Sequence, residues 1–187
     1  MKQIATFVVL LALTVQAQSA FAAPSDAPTS PAWQVTQRND SSREYPYTRF
    51  TLVGKFTNGV AGATGPSVVI DCLADLVSHP LTGRVLSASV SAGFPLKVIY
   101  VEPLEIHGTS YFPKVATNFR ANGSAERQQE WSVGADKTSA TIPGDALATL
   151  LTSQNVSISA EDSKGASFTM QFDIPDSASV RNSCDIK

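Results

Sequence analysis

The sequence contains few of the residues and motifs on which enzymes and nucleic-acid-binding proteins depend. Its 187 residues include two cysteines and two histidines. It has no nucleophile elbow, no phosphate-binding loop, no dinucleotide fingerprint, no Cys-x-x-Cys and no His-Glu-x-x-His. Charged residues make up 16% of the chain and its formal net charge is −2, whereas a general nucleic-acid binder carries a positive stripe. We therefore expect no enzymatic activity, no cofactor and no nucleic-acid partner.

The two histidines do not predict a catalytic or metal site. His79 lies in "SHPLTG" and His107 in "EIHGTS", each beside a turn-forming residue, and nothing near either one marks a nucleophile or a second metal ligand. We interpret both as solvated loop residues. A carboxylate pair of the glycosidase kind remains open, because such acids come together only in the folded chain.

Long apolar runs are also lacking, apart from one at the N-terminus. A lysine at position 2 precedes the run from Ile4 to Val15, and small residues follow as far as Ala22. This order is typical of a secretory signal peptide, and the run is shorter than the roughly 20 residues of a membrane-spanning helix. We predict cleavage after Ala22, a flexible lead-in over residues 23–32 and a single domain over residues 33–187. The mature protein is then periplasmic or secreted, with no integral membrane segment.

Export would place the two cysteines in an oxidising compartment. An oxidising compartment favours a disulfide between Cys72 and Cys184, which would fasten the C-terminal tail to a central strand. Two separate buried thiols are the alternative that the sequence leaves open.

Most of the chain alternates between apolar and polar residues, which is typical of strands. The alternation is clearest in "NVSISA" and "GASFTMQFDI", which flank the polar stretch "EDSKG" and together predict a hairpin with one buried face. Alternation also occurs in "YTRFTLVGKF", "RVLSASVSA" and "PLKVIYVEPLEI". The stretch "SVVIDCL" is a short apolar run that suits a strand buried on both faces. Only "PGDALATLLTSQN" has helical spacing. These features predict an all-β fold, a two-layer antiparallel β-sandwich of seven or eight strands with one short helix; an open barrel is the second choice.

The stretch "RNDSSREYPYTRF" interleaves arginines with aromatic residues. Arg43, Tyr45 and Tyr47 are candidate interaction residues, because aromatic rings and guanidinium groups together can stack on bases or carbohydrate. The simpler interpretation is an edge strand whose arginines point outward and discourage aggregation.

A looser signal comes from the order of several small motifs between Trp33 and Cys184. A strand ending in "VVIDC", then "FRANGSAERQQEWSVGADKTSATIP", a leucine-rich helix and a terminal "RNSC" resemble exported accessory proteins associated with type VI secretion. The resemblance implies recurring roles for the two cysteines and for Arg120, Trp131, Ser132 and Asp136. From the residues themselves, we expect Trp131 to be a core or interface anchor, and Arg120 and Asp136 to form an exposed pair on a strand.

Two functions are consistent with these features. The first is a non-catalytic module that docks onto an envelope protein or assembly through a sheet edge or an aromatic patch. The second is a secreted binder or inhibitor of a small ligand or an enzyme.

Overall fold

The computed structural model describes residues 31–38, 46–58, 65–73, 85–99 and 113–186. Several sequence predictions fall outside these residues: the signal peptide and its cleavage site, Arg43, Tyr45, both histidines and most of "PLKVIYVEPLEI".

The described residues form two antiparallel sheets of five strands each. The first sheet contains, in spatial order, β1 (Gln34–Arg38), β2 (Tyr47–Val53), β4 (Ser67–Leu73), β5 (Val85–Ser91) and β8 (Ser139–Thr141). The second sheet contains β3 (Lys55–Asn58), β10 (Ser167–Asp173), β9 (Asn155–Glu161), β6 (Lys114–Ala121) and β7 (Arg127–Ser132). This architecture confirms the predicted all-β sandwich, although the described residues form ten strands and not the seven or eight predicted.

The core lies between the inner faces of the two sheets, as the alternating sequence pattern requires. Along β10, Phe168, Met170 and Phe172 are buried while the residues between them are half-buried. Along β4, Val68 and Ile70 are fully buried in the same core. Burying each such side chain contributes about 1.5–3 kcal/mol relative to leaving it exposed, so the core is the main stabilising element of the fold.

The predicted hairpin is present as β9 and β10, which pair from Asn155 with Asp173 to Glu161 with Ser167. Its turn is held by Asp162, whose Oδ1 accepts hydrogen bonds of 2.8 Å from the amides of Lys164 and Ala166. Gly165 lies in the turn at φ 84°, a backbone conformation that glycine adopts without steric cost.

One strand passes from the first sheet to the second at Gly54. β2 ends at Val53 and β3 begins at Lys55, and the amide of Gly54 donates a 2.8 Å hydrogen bond to the carbonyl of Pro66. A Cβ atom at this position would lie 2.5 Å from the carbonyl oxygen of Gln171 and 2.6 Å from the ring of Phe172. The corner between the sheets therefore requires glycine.

Two helices cover the sandwich, one more than predicted. α1 (Gly144–Thr152) is the predicted helix and buries Leu147, Leu150 and Leu151. α2 (Ala178–Cys184) follows β10 and buries Val180 and Cys184. α2 was not predicted, because its seven residues are too few to show a repeating apolar face.

The disulfide joins Cys72 on β4 to Cys184 at the end of α2, with a Cα–Cα distance of 5.2 Å. This link confirms the predicted pairing and excludes the alternative of two separate thiols. Both cysteines are completely buried, so the covalent link lies inside the core and fixes α2 against the first sheet.

The alternation is interrupted in β5. Strict alternation of "RVLSASVSA" would place Leu86 on one face with Ala88 and Val90, which are buried, but the exposed fraction of Leu86 is 41%. The register explains the difference, because Ser87 pairs with Asp71 whereas Val85 pairs with Cys72. Leu86 is thus the extra residue of a β-bulge and points outward.

Within the described residues, neither helix is long and apolar enough to cross a membrane.

Candidate functional site

The residues implicated by the resemblance do not converge on one site. Trp131 is completely buried, its ring centroid lies 6.1 Å from that of Phe119, and its Nε1 donates a 2.8 Å hydrogen bond to the side chain of Gln129. Trp131 is therefore a core residue, as expected for an anchor, and cannot contact a partner directly. Its neighbour Ser132, also implicated by the resemblance, is half-buried at the end of β7.

The expected pair between Arg120 and Asp136 is not formed. Arg120 lies near the end of β6 and pairs with Glu126 across 3.2 Å. Asp136 lies beyond Ser132, which pairs with Lys114 at the opposite end of β6. Arg120 lies six residue steps along β6 from Lys114, roughly 20 Å at the usual rise per residue. The prediction was wrong because Asp136 occupies a turn rather than a strand position.

Asp136 has a structural role in the turn between β7 and β8. Its Oδ1 accepts hydrogen bonds from the amides of Thr138 and Ser139 at 3.0 and 3.1 Å and from the Ser139 hydroxyl at 2.9 Å. Partial burial acts to raise the pKa of the Asp136 carboxyl, but the hydrogen bonds from Thr138 and Ser139 outweigh it and lower the pKa below its ordinary value.

The described part of the arginine and tyrosine stretch forms a buried cluster instead of an exposed platform. Arg49 donates two hydrogen bonds to Asp71, at 2.8 and 2.9 Å, and its guanidinium lies 5.6 Å from the centroid of the Tyr47 ring. Asp71 is 1% exposed and Tyr47 is 4% exposed. Because β2 is an inner strand, the expectation of an edge strand was wrong for Arg49, whose side chain is half-buried on the outer face of the first sheet. Its bidentate ion pair with the buried Asp71 fixes the register between β2 and β4.

The exposed edge of the first sheet is β1. All five of its residues are exposed, including Val35, whose exposed fraction is 57%. Among the described strands, β1 pairs only with β2. Just before β1, Trp33 packs against the core and its Nε1 donates a 3.2 Å hydrogen bond to the hydroxyl of Ser177. The start of the edge strand is thus anchored, while the strand itself faces solvent.

A cleft opens where β6 and β9 diverge. Their ladder ends at the pair Asn118 and Ser159. Beyond that pair, the amide of Lys97 donates a 2.9 Å hydrogen bond to the carbonyl of Glu161 on β9, and the amide of Ile99 donates one of the same length to the carbonyl of Lys114 on β6. The cleft has a volume of about 240 Å³. Lys97 Nζ donates a 2.6 Å hydrogen bond to Glu161, so the charges at its rim neutralise each other.

A second cavity, of about 310 Å³, lies at the C-terminal end of α1. We call it the Arg181 pocket. It is lined by residues from the end of α1, from the segment after β10 and from α2: Leu151, Thr152, Ser153, Gln154, Ile174, Pro175, Asp176, Ser177 and Arg181. Arg181 Nε is buried and has no hydrogen-bond acceptor among the residues that the structure describes. Such an unsatisfied donor costs about 1–3 kcal/mol in a folded protein.

Sequence reasoning missed the Arg181 pocket. Its lining comes from three segments that the sequence does not place together, and Arg181 lies in "SVRNSC", where the nearby cysteine was the stronger signal. No group of three or more histidine, cysteine or acidic residues suited to a metal ion occurs among the residues that the structure describes.

Comparisons of the chain with protein-family models, with curated proteins and with solved structures give no match.

Proposed function

We propose that the chain is an exported, non-catalytic interaction module that docks onto a protein of the cell envelope by adding a strand of that partner to β1. The N-terminal signal pattern and the buried disulfide support export, because such bonds persist in oxidising compartments. The resemblance to type VI secretion accessory proteins suggests an assembly of that kind as the partner.

The observation that carries the proposal is the unguarded edge of β1. Its sequence, "QVTQR", has no proline and only one charge, at Arg38. Natural sheets usually protect such an edge with charges, prolines or bulges. The corresponding edge strand of the second sheet, β3, also has a single charge, at Lys55, but it pairs with β10 through a register shift that β1 lacks. An edge left open in this way suits strand addition, in which main-chain hydrogen bonds provide affinity.

The side chains of β1 indicate what kind of partner strand would fit. Val35 pairs with Phe50 and therefore lies on the inner face of the first sheet, while Arg38 pairs with Tyr47 on the outer face. A partner strand with an apolar residue opposite Val35 and an acidic residue opposite Arg38 would bury the exposed valine and neutralise the arginine. We therefore expect an extended, alternating segment with at least one acidic residue.

Proline substitution along β1 tests the mode of docking. Successive amides of a strand point to opposite edges, so proline at positions 34 to 38 should alternate in effect. At every second position, proline removes a hydrogen bond to β2 and should lower the melting temperature. At the other positions, proline removes an amide that faces the partner strand, so it should abolish binding and leave the melting temperature unchanged.

Photo-crosslinking in cells identifies the partner contact. A photoreactive residue in place of Val35 should capture the same envelope protein repeatedly, and capture should be lost in the docking-defective proline variants. The same residue in place of Thr141, exposed on the opposite edge of the sheet, serves as the control. Equal capture from both positions, or binding that is indifferent to proline at every β1 position, would contradict the proposal.

A second candidate function, a secreted binder or inhibitor, is favoured by one observation. Arg181 lines a cavity of about 310 Å³, and its Nε has no hydrogen-bond partner among the described residues.

A further inference from the structure

A row of neutral polar side chains crosses the outer face of the second sheet. Strand pairing places Asn58 opposite Thr169, Thr169 opposite Ser159, Ser159 opposite Asn118, and Asn118 opposite Gln128. Paired residues share a face, and the residues on either side of this row in β6, β9 and β10 are buried in the core. At the usual strand spacing of about 4.8 Å, the row is roughly 19 Å long. We call these five residues the amide–hydroxyl row.

The charged residues on the same face neutralise one another. They form four ion pairs: Lys55 with Asp173, Lys97 with Glu161, Lys114 with Glu130, and Arg120 with Glu126. The amide–hydroxyl row itself contains no ionisable side chain. A highly charged ligand would therefore find no free counter-charge beside the row, whereas the amide and hydroxyl groups remain available.

These groups can both donate and accept hydrogen bonds. Asn118 and Gln128 are exposed, and neither side chain makes a hydrogen bond with any of the described residues. The hydroxyls of Ser159 and Thr169 lie 2.9 Å apart and bond to each other, which fixes their positions and leaves one donor and several lone pairs free. Neutral groups that donate and accept at regular spacing match the hydroxyl groups of a sugar chain.

The row also borders the cleft between β6 and β9. Ser159, Asn118 and Gln128 line this cleft together with Ile99, whose exposed fraction is 43%. Ile99 offers an apolar surface to the C–H face of a sugar ring. The cleft volume of about 240 Å³ is smaller than the roughly 300–1,000 Å³ of a pocket that encloses a whole ligand. It therefore suits one ring of a longer chain.

We infer that the outer face of the second sheet binds a neutral glycan chain. The chain lies across the strands along the amide–hydroxyl row, and one of its rings enters the cleft beside Ile99. This site develops the second candidate function. It lies on the opposite layer from β1, so it does not depend on docking there.

Titration of the ¹⁵N-labelled protein with three soluble neutral tetrasaccharides tests the inference. Cellotetraose and maltotetraose carry only hydroxyl groups and differ in shape, and chitotetraose also carries acetamido groups. At least one of them should shift the side-chain amide resonances of Asn118 and Gln128 in a saturable manner, at concentrations up to about 10 mM, without shifting the backbone amide of Val35. Tetragalacturonate, with a carboxylate on each ring, should bind at least about tenfold more weakly, because its carboxylates would lose water without gaining a cation.

Substitutions in the row assign the contact. Asn118→Ala and Gln128→Ala should each weaken binding of the best tetrasaccharide about twofold to tenfold, because each removes neutral hydrogen bonds to the ligand. Both residues are exposed, so both variants should melt at the wild-type temperature. Gln154→Ala, the same kind of change at an exposed residue outside the row, is the control and should bind as the wild type does.

Three results would overturn the inference. The first is the absence of a saturable shift with all three neutral tetrasaccharides. The second is binding of tetragalacturonate that is as tight as that of the best neutral tetrasaccharide, which would indicate an anion site. The third is wild-type binding by both row variants. None of these outcomes bears on crosslinking at Val35, so the failure of one proposal is distinguishable from the failure of the other.

Discussion

Breaking the link between Cys72 and Cys184 should remove a large part of the stability of this fold. The two cysteines are 112 residues apart in sequence. The chain-entropy model for a loop of that length gives about 4.8 kcal/mol, and measured values for disulfides are typically about 2–4 kcal/mol. Because the free energy of unfolding of a domain is only about 5–15 kcal/mol, the loss should be visible as a large fall in the denaturation midpoint.

The assay is urea unfolding of three samples: the oxidised protein, the reduced protein and the double variant Cys72→Ala/Cys184→Ala. The reduced protein is prepared by adding reductant to the unfolded chain and refolding it with the reductant present. The reduced wild type keeps both sulfur atoms, so it isolates the effect of the covalent link. The double variant also loses buried volume and should be less stable still, by roughly 1 kcal/mol for each site. The variant should not respond to reductant. If reduction of the wild type costs less than about 1 kcal/mol, packing of α2 holds the tail and the reasoning fails.

Two further predictions concern single residues. Gly54→Ala should destabilise the fold by about 1–3 kcal/mol, because its Cβ would overlap the carbonyl of Gln171 and the ring of Phe172. The measurement is thermal denaturation, and the control is Gly144→Ala, which has open space around it. Equal melting temperatures of the two variants would contradict the prediction. Asp136→Asn should cost about 0.5 kcal/mol near neutral pH. The folded-state pKa of Asp136 is lowered, so this difference should be fully present above the ordinary pKa of 3.8 and disappear as the pH falls through the folded-state value; a difference that is independent of pH would refute it.

The strands were predictable because alternation is a local signal. Segments with one buried face, such as β9 and β10, carry that signal in every second residue. The bulge at Leu86 was not predictable, since it depends on how β5 registers with β4. α2 was missed for a similar reason: it is defined by docking onto β4 and by the disulfide more than by its own seven residues.

The candidate sites were less accessible to sequence reasoning. The disulfide could be predicted because only two cysteines are present. The ion pair of Arg49 could not be recognised, because its buried partner Asp71 lies on another strand. The Arg181 pocket depends on three segments meeting, and no pattern within any one of them marks it.

The corner at Gly54 has a mechanical consequence. Since β2 continues directly into β3, a force applied to β2 in the first sheet is transmitted along the backbone to β3 in the second sheet. A bound partner that pulls on β1 would therefore load both sheets of the sandwich. The ladder between β1 and β2, in which Val35 pairs with Phe50, would take up such a load first.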